Sequence, residues 1–150
     1  MTTLTLIRGI PGSGKSTLAK ILAAHSGGKH IEADMFFVDD DGNYNWTADR
    51  IADAHAWCQE STRKFLRAGH DVVVSNTFTT HKELKPYFDI ALGFDITPVI
   101  ITMQNNFGNV HDVPVEAIDR MKNRFQYDVR ELFEKHQQNM SDKFWHTKVI

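Results

Sequence analysis

The segment G-I-P-G-S-G-K-S at residues 9–16 decides how this chain folds and what it binds. Its glycines are Gly9, Gly12 and Gly14. Residues without a Cβ let the main chain turn tightly and direct successive N–H groups at one anion. Lys15 supplies a positive charge for the β- and γ-phosphates of a nucleotide, and the hydroxyl of Ser16 can bind Mg²⁺. This spacing is that of a phosphate-binding loop, and it predicts binding of a nucleoside triphosphate.

A strand before the loop and a helix after it are the context that such a loop requires. Residues 3–8 (T-L-T-L-I-R) are β-branched and apolar, which favours a strand. Residues 15–24 carry apolar side chains at helical spacing, and the start of that helix adds its positive dipole end at the phosphates. We expect Ser13 and Thr17 to lie beside the bound nucleotide.

Length and composition limit the alternatives. The 150 residues suit a single domain, 1–150, in which binding and catalysis share one cleft. A net charge of -2 and a pI near 6.4 exclude a global attraction to nucleic acid or anionic membranes, so a polyanionic partner must meet a local patch. Cys58 is the one cysteine in the sequence, and no run of about 18 apolar residues occurs. We therefore expect a cytoplasmic protein that does not span a membrane.

Segments typical of strands and helices alternate along the rest of the chain. The sequence predicts strands at residues 29–33, 71–75 and 95–102, helices at 47–68, 81–92, 114–127 and 128–140, a hairpin or loop at 39–45, and a tail at 143–150. This alternation predicts an α/β fold of three layers, with a mostly parallel sheet flanked by helices. Pro98 favours an edge position or a bulge for the last strand. The polar segment 104–113 is interpreted as a mobile lid.

Polar residues follow the predicted strands at the edge of the sheet where ligands bind in such folds. Asp34, Ser75, Asn76 and the 9–16 loop all fall at this edge. Asp34 is the best candidate for a general base, because a carboxylate there can take the proton of an attacking hydroxyl. The same position also suits a ligand of a Mg²⁺-bound water or a helix cap, and Glu32 is a weaker candidate for the base.

The apolar run at residues 72–74 lacks the acidic residue that usually follows such a strand and orients Mg²⁺. Ser75, Asn76 and Thr77 follow it instead. A kinase is therefore favoured over an ATPase motor. Asn76 and Thr77 can hydrogen-bond a metal-bound water or a substrate, although the pair also suits a local turn.

Aromatic and cationic side chains near the expected cleft are further candidates for binding. Phe37 and Trp46 lie in irregular segments and are the best candidates for stacking on a nucleobase, whereas most aromatic side chains pack in cores. Arg8, Arg120 and Arg124 are the cations expected nearest the phosphates or adenine, with exposure to solvent as the alternative.

Five segments of the chain match one family of enzymes. They are R-G-I-P-G-S-G-K-S-T-L-A (8–19), E-A-D-M-F-F (32–37), A-H-A-W-C (54–58), V-V-V-S-N-T-F (72–78) and H-D-V-P-V-E-A-I-D-R-M-K-N-R-F (111–125). On these segments the chain resembles the P-loop kinases of the polynucleotide kinase type over nearly its whole length. The resemblance implies a P-loop kinase fold, ATP and Mg²⁺ held by Lys15 and Ser16, Asp34 as general base, and a lid at 104–113.

Two positions depart from the family members that phosphorylate 5′-hydroxyl ends. Phe37 stands where those members carry an arginine for the substrate phosphate. Gly108 stands where they carry a lid arginine, for which His111 or Arg120 could substitute. An aromatic residue at position 37 suits an acceptor recognised through its base. In this respect the chain is similar to bacteriophage kinases that phosphorylate 5-hydroxymethyluracil in DNA, which implies DNA as the partner and the host cytoplasm as the location.

Three classes of function remain open on the sequence. The first is transfer of the γ-phosphate of ATP to a hydroxyl on nucleic acid, favouring 5-hydroxymethyluracil in DNA over a 5′-hydroxyl end. The second is a kinase for a small molecule, such as a sugar, a nucleoside or an antibiotic. The third is an ATP-binding module without transferase activity, which the absent lid arginine and the absent acid after residue 74 would suit.

Overall fold

Strands and helices alternate through the part of the chain that the computed structural model describes, which is residues 2–108 and 113–149, with side chains through residue 145. The strands are β1 (Leu4–Arg8), β2 (Lys29–Ile31), β3 (Val72–Ser75) and β4 (Val99–Thr102). The α-helices are α1 (Lys15–Ser26), α2 (Ile51–Arg67), α3 (His81–Gly93), α4 (Val115–Arg124) and α5 (Arg130–Val149). None of the described helices is both long and apolar enough to cross a membrane.

The strands form one parallel sheet in the order β2-β3-β1-β4. Side chains alternate between the two faces of a strand, so each face carries its own core. Leu4 and Leu6 pack in a cluster with residues of α2 and α3, whereas Ile7 and Val73 pack with α1. The predicted three-layer α/β fold with a mostly parallel sheet is confirmed. Pro98 directly precedes the edge strand β4, as expected.

The predicted second strand is too long. β2 ends at Ile31, and Ala33–Phe37 forms a 3-10 helix instead of continuing the strand. The side-chain oxygen of Asn76 accepts a hydrogen bond from the Ala33 N–H (2.9 Å), which fixes the turn into this helix. Asp34 therefore lies in the first turn of a short helix that follows the strand.

Further predicted boundaries are wrong, among them that of the helix predicted at 114–127, which ends at Arg124. The last strand begins at Val99 rather than at residue 95, because Asp95 has a φ of 59°, which a strand does not allow. The last helix continues to Val149 rather than ending near 140, so the expected tail is helical as far as it is described. Contacts with the end of α3 stabilise this longer helix, since Lys143 donates to the Leu92 carbonyl (2.9 Å) and pairs with Asp95 (2.7 Å).

The segment 39–45 forms a small hairpin, one of the two alternatives expected from the sequence. Val38 and Tyr44 make an antiparallel bridge. Asp39 closes the turn by accepting the N–H groups of Asp41 (3.0 Å) and Asn43 (2.9 Å). The hairpin carries Tyr44 to the edge of the sheet where Asp34 lies. Of the predicted lid, residues 109–112, including His111, fall outside the described residues.

Candidate functional site

The phosphate-binding loop connects β1 to α1 and owes its shape to its main chain. Gly12 and Gly14 have φ values of 84° and 90°, in the left-handed region that favours glycine. Gly9 is required for another reason, because a Cβ there would lie 2.5 Å from Ser13 Oγ. The Gly9 N–H donates to the Thr77 carbonyl (3.2 Å), so the loop is tied to the segment that follows β3.

Lys15 and Ser16 lie together at the first turn of α1, both half-buried. The Lys15 ammonium donates to the Ile10 carbonyl (3.1 Å). Burial lowers the pKa of Lys15, and the nearby carboxylates of Glu32 and Asp34 oppose that change. The helix N-terminus thus offers one cation and one hydroxyl, which is the donor set that a triphosphate with Mg²⁺ requires.

The two other polar residues predicted to contact the nucleotide lie differently from each other. Ser13 is fully buried, its N–H donates to the Ile10 carbonyl (3.2 Å), and its hydroxyl has no hydrogen-bond partner. Its side chain is enclosed by the loop beside Gly9. Thr17 is exposed in the first turn of α1, where its hydroxyl is accessible.

Asp34 is exposed, and its side chain lies beside the hairpin. Its Oδ1 accepts a hydrogen bond from the Tyr44 hydroxyl (3.2 Å). Burial, followed by the charge of Asp34, raises the pKa of Tyr44 to about 12, so this hydroxyl remains a donor at neutral pH. One carboxylate oxygen is held by Tyr44, which leaves the other for a proton of an acceptor.

Glu32 is more enclosed than Asp34, with 17% of its side chain exposed. Its Oε1 lies 3.0 Å from His30 Nε2 and accepts a hydrogen bond from Ser75 Oγ (3.1 Å). Burial opposes ionisation of Glu32, but hydrogen bonds from His30, Ser16 and Ser75 lower its pKa to about 2. A carboxylate with so low a pKa is a poor proton acceptor, which favours Asp34 as the base.

Both carboxylates line one cleft of about 570 Å³ at the carboxyl ends of β2 and β3. Its polar lining consists of Lys15, Ser16, Glu32, Asp34, Ser75 and Asn76, among others. Its apolar lining comes from the hairpin, the residues on either side of it, α2 and α4, and includes Phe37, Tyr44, Trp46, Ile51 and Met121. A more open cavity of about 820 Å³ between the starts of α3 and α5 contains none of the predicted site residues.

The two aromatic residues predicted to bind the acceptor both line the cleft, in different ways. Phe37 is 6% exposed and contacts the rings of Tyr44 and Trp46, with centroids 6.2 Å and 6.5 Å away. Trp46 is 50% exposed. Phe37 therefore supports the wall of the cleft, and Trp46 presents an accessible face.

Asn76 and Thr77 also line the cleft, and each supports the surrounding structure. The Asn76 amide accepts from the Ala33 N–H and donates to Cys58 Sγ (3.6 Å). The Thr77 carbonyl accepts from Gly9. Their polar groups thereby connect the ends of β2 and β3 to the phosphate-binding loop.

The three predicted cations have different environments. Arg8 is fully buried, donates to the Phe78 carbonyl (2.7 and 2.9 Å) and stacks on Phe125 (4.2 Å), so neither the expected contact with phosphates nor the alternative of exposure is right. Arg124, at the end of α4, donates to Thr79 Oγ1 (2.9 Å). Arg120 is exposed on α4.

Phe107 contacts the phosphate-binding loop, and the sequence analysis did not predict this contact. Its N–H donates to the Gly12 carbonyl (2.8 Å), and a Cβ on Gly14 would lie 3.1 Å from its ring. The ring is 70% exposed. No local pattern singles out a phenylalanine in a polar segment, because the contact spans more than ninety residues of chain.

Comparisons with known proteins agree with this geometry. The profile of the AAA domain family (AAA_33) matches residues 4–127, and the chain belongs to this family. It is 31% identical over 140 residues to "Uncharacterized protein PM0531" of Pasteurella multocida, covering 81% of this chain and 75% of that protein.

Solved structures of kinases share the fold. A gluconokinase from Sinorhizobium meliloti is similar with a TM-score of 0.60 at 15% identity, covering 98% of this chain and 96% of that one. A chain of the Pnkp1/Rnl/Hen1 RNA repair complex is similar with a TM-score of 0.57 at 18% identity. That match covers 93% of this chain but only 44% of the chain from the complex. The protein therefore has the P-loop nucleotide-binding fold found in kinases.

Proposed function

We propose that this protein is an ATP-dependent kinase that transfers the γ-phosphoryl group to a hydroxyl, with residues 1–150 acting as one kinase domain. The observation that carries the proposal is the presence of Lys15, Ser16 and Asp34 in a single cleft at the carboxyl ends of the strands. The first two are suited to the donor triphosphate, and the third is suited to the acceptor. A nucleotide-binding loop without a facing base would support binding alone.

In the proposed reaction, the acceptor oxygen forms a bond to the γ-phosphorus while the bond from that phosphorus to the bridging oxygen of ADP breaks. Asp34 accepts the hydroxyl proton through the carboxylate oxygen that Tyr44 does not hold. Lys15 and the main-chain N–H groups of the loop stabilise negative charge on the phosphoryl oxygens. Mg²⁺, for which Ser16 is the expected protein ligand, supplies neutralisation of the phosphate charge when bound.

The favoured acceptor is 5-hydroxymethyluracil within DNA. The lining of the cleft includes Phe37, Tyr44 and Trp46, which suits a planar group that carries the hydroxyl. Lys15 is the only lysine or arginine among the described residues that line the cleft, so none of these residues offers a second such cation to another anionic group of the acceptor. This disfavours a 5′-hydroxyl nucleotide held by its phosphate. The buried free thiol of Cys58 suits a reducing cytoplasm, that of a host cell in the case of a bacteriophage protein.

A small-molecule kinase is the second candidate. The scarcity of cations in the cleft and the net charge of -2 suit a neutral acceptor as well as a polymer. The gluconokinase whose fold is similar covers nearly the same length of chain. The RNA repair complex, in turn, keeps a polynucleotide acceptor among the candidates.

The test is a competition among acceptors. ATP labelled in its γ-phosphate is offered with DNA containing 5-hydroxymethyluracil, with the same DNA containing thymine, with a 5′-hydroxyl oligonucleotide, and with free nucleosides and sugars. We expect label only in the hydroxymethylated DNA. Faster labelling of a small molecule would replace the polymer by the second candidate. ATP binding without labelling of any acceptor would leave a binding module and contradict the proposed kinase.

A further inference from the structure

A carboxylate reaches the nucleotide end of the sheet from β2, although the sequence lacks the usual acid after β3. β2 and β3 are parallel neighbours whose register ends with Ile31 opposite Val74. The next residues, Glu32 and Ser75, therefore meet at the edge of the sheet, where Ser75 Oγ donates to Glu32 Oε1 (3.1 Å). Ser75 occupies the position of the usual acid, and a carboxylate from the adjacent strand lies directly beyond its hydroxyl.

Contacts hold this carboxylate facing the phosphate-binding loop. His30 Nε2 lies 3.0 Å from Glu32 Oε1 and 2.7 Å from Ser75 Oγ, and the imidazole side chain is only 8% exposed. On the opposite side, Ser16 lines the same cleft as Glu32 and lies close enough to its carboxylate to lower its pKa. Glu32 therefore connects a fixed buried pair to the residue expected to bind the metal.

The donor set fits Mg²⁺ bound with a nucleotide. This ion prefers oxygen ligands, keeps several waters, and uses one or two protein groups together with substrate phosphates. No group of three or more His, Cys, Asp or Glu side chains in the described residues could hold a metal without such help. One hydroxyl from Ser16 with one carboxylate behind it matches a site that phosphates and water complete.

We propose that Glu32 is a positioning residue for Mg²⁺, whose carboxylate orients the Ser16 hydroxyl and a metal-bound water. Glu32 replaces the acid after β3 that usually orients Mg²⁺. Its role differs from that of Asp34, which is the proposed base for the acceptor. The inference rests on the proposed function, since it requires that the cleft binds a triphosphate. His30 and Ser75 keep the carboxylate of Glu32 in the required orientation.

The test measures nucleotide binding without turnover. A non-hydrolysable ATP analogue is titrated calorimetrically into the full chain with Mg²⁺ and with a chelator, and the ratio of the two dissociation constants gives the gain due to Mg²⁺. We expect Glu32→Gln to reduce this gain by roughly 10- to 100-fold, the usual effect of removing a group that orients a metal ligand. With the chelator, the variant should bind as tightly as the wild type or more tightly, because a negative charge near the phosphates has been removed.

Asp34→Asn is the matched control, since it removes the same charge two residues further along the chain. It should keep the full gain due to Mg²⁺. A wild-type chain that binds no analogue in either condition would refute the proposed function. If the wild type binds the analogue and Glu32→Gln keeps the gain due to Mg²⁺, the role of Glu32 is overturned. The same holds if only Asp34→Asn loses this gain. Both results leave the proposed function standing.

A second variant covers the case in which Glu32→Gln does not fold, as judged from its thermal melting. Glu32→Asp keeps the charge but withdraws the carboxylate from Ser16 by one methylene group. We expect it to lower the gain due to Mg²⁺ by roughly tenfold, because the interaction depends on orientation. An undiminished gain in the folded Asp variant would overturn the proposal.

Discussion

The phosphate-binding loop and the apolar lining of the cleft depend on different parts of the chain. The loop owes its shape to its main chain, with two glycines at positive φ and the Gly9 N–H donating to the Thr77 carbonyl. The apolar lining of the cleft is made of side chains from the hairpin, the residues on either side of it, α2 and α4, and some of these are exposed, such as Trp46 at 50%. A triphosphate is the same in every ATP-dependent reaction, whereas the acceptor differs between enzymes.

This difference predicts where substitutions act. Changes in the loop alter a backbone arrangement that no other side chain restores, so they should reduce nucleotide binding. Changes in the apolar lining, which the proposed function assigns to the acceptor, should alter recognition of that second substrate and leave nucleotide binding intact. The two aromatic residues of the acceptor wall separate stability from recognition, because one is buried and the other exposed.

Phe37→Ala should have the largest effect on the folded chain. Removing a buried aromatic side chain costs about 3–5 kcal/mol of the free energy of unfolding. Chemical denaturation measures this loss. Trp46→Ala is the control, and it should change the free energy of unfolding by no more than about 0.5 kcal/mol. Equal losses of the free energy of unfolding in the two variants would contradict the different roles of Phe37, which supports the fold, and Trp46, which presents an accessible ring.

Trp46→Ala should act on recognition. Stacking of a base on an aromatic ring contributes about 1–3 kcal/mol, so the KM for a base-bearing acceptor should rise by roughly 5- to 150-fold. The KM for ATP should stay the same, since the proposed function assigns Trp46 to the acceptor and not to the nucleotide. Steady-state kinetics with each substrate varied in turn checks this. An unchanged KM for the acceptor would exclude stacking on Trp46.

Gly14→Ala and Gly69→Ala form a pair that isolates the role of the loop. Both glycines have φ near +90°, so each substitution should destabilise the fold by about 1–2 kcal/mol. Only Gly14 belongs to the phosphate-binding loop, and only its variant should bind ATP more weakly. Calorimetric titration with ATP distinguishes the two. Equal affinities would mean that the main chain at Gly14 does not contribute to binding.

Tyr44→Phe should have the smallest effect. It keeps the ring beside Phe37 and removes one hydrogen bond to Asp34, worth about 0.5–1.5 kcal/mol. We expect kcat to fall roughly 2- to 10-fold with the affinity for ATP unchanged. Loss of ATP affinity in this variant would contradict the proposed role of Tyr44, which is to hold Asp34 for the acceptor.

Local patterns predicted the parts of the fold that depend on local chemistry. The loop, its strand and its helix follow from glycine spacing and periodicity, and the α/β class follows from their alternation. The end of β2 was missed because Asn76, more than forty residues away in the sequence, binds the Ala33 N–H and turns the chain. The extent of α5 was missed because its last turns are stabilised by contacts with the end of α3.

The candidate site shows the same limit. Lys15, Ser16 and Asp34 could be named because each belongs to a short motif, and the structure brings them into one cleft. The hydrogen bond of Glu32 with Ser75 and its position beside Ser16 depend on the pairing of two strands and on the loop, so no local pattern reveals them. Arg8 was misjudged because its partners, Phe78 and Phe125, are distant in sequence.

The central claim is that Asp34 accepts a proton during phosphoryl transfer from ATP held at the loop. The most direct measurement compares the wild type with Asp34→Asn, using labelled ATP and the acceptor that the wild type labels fastest, together with the affinity of each for ATP. We predict a transfer rate lower by roughly 10²- to 10⁴-fold with ATP affinity unchanged. Undiminished transfer by Asp34→Asn would contradict the account.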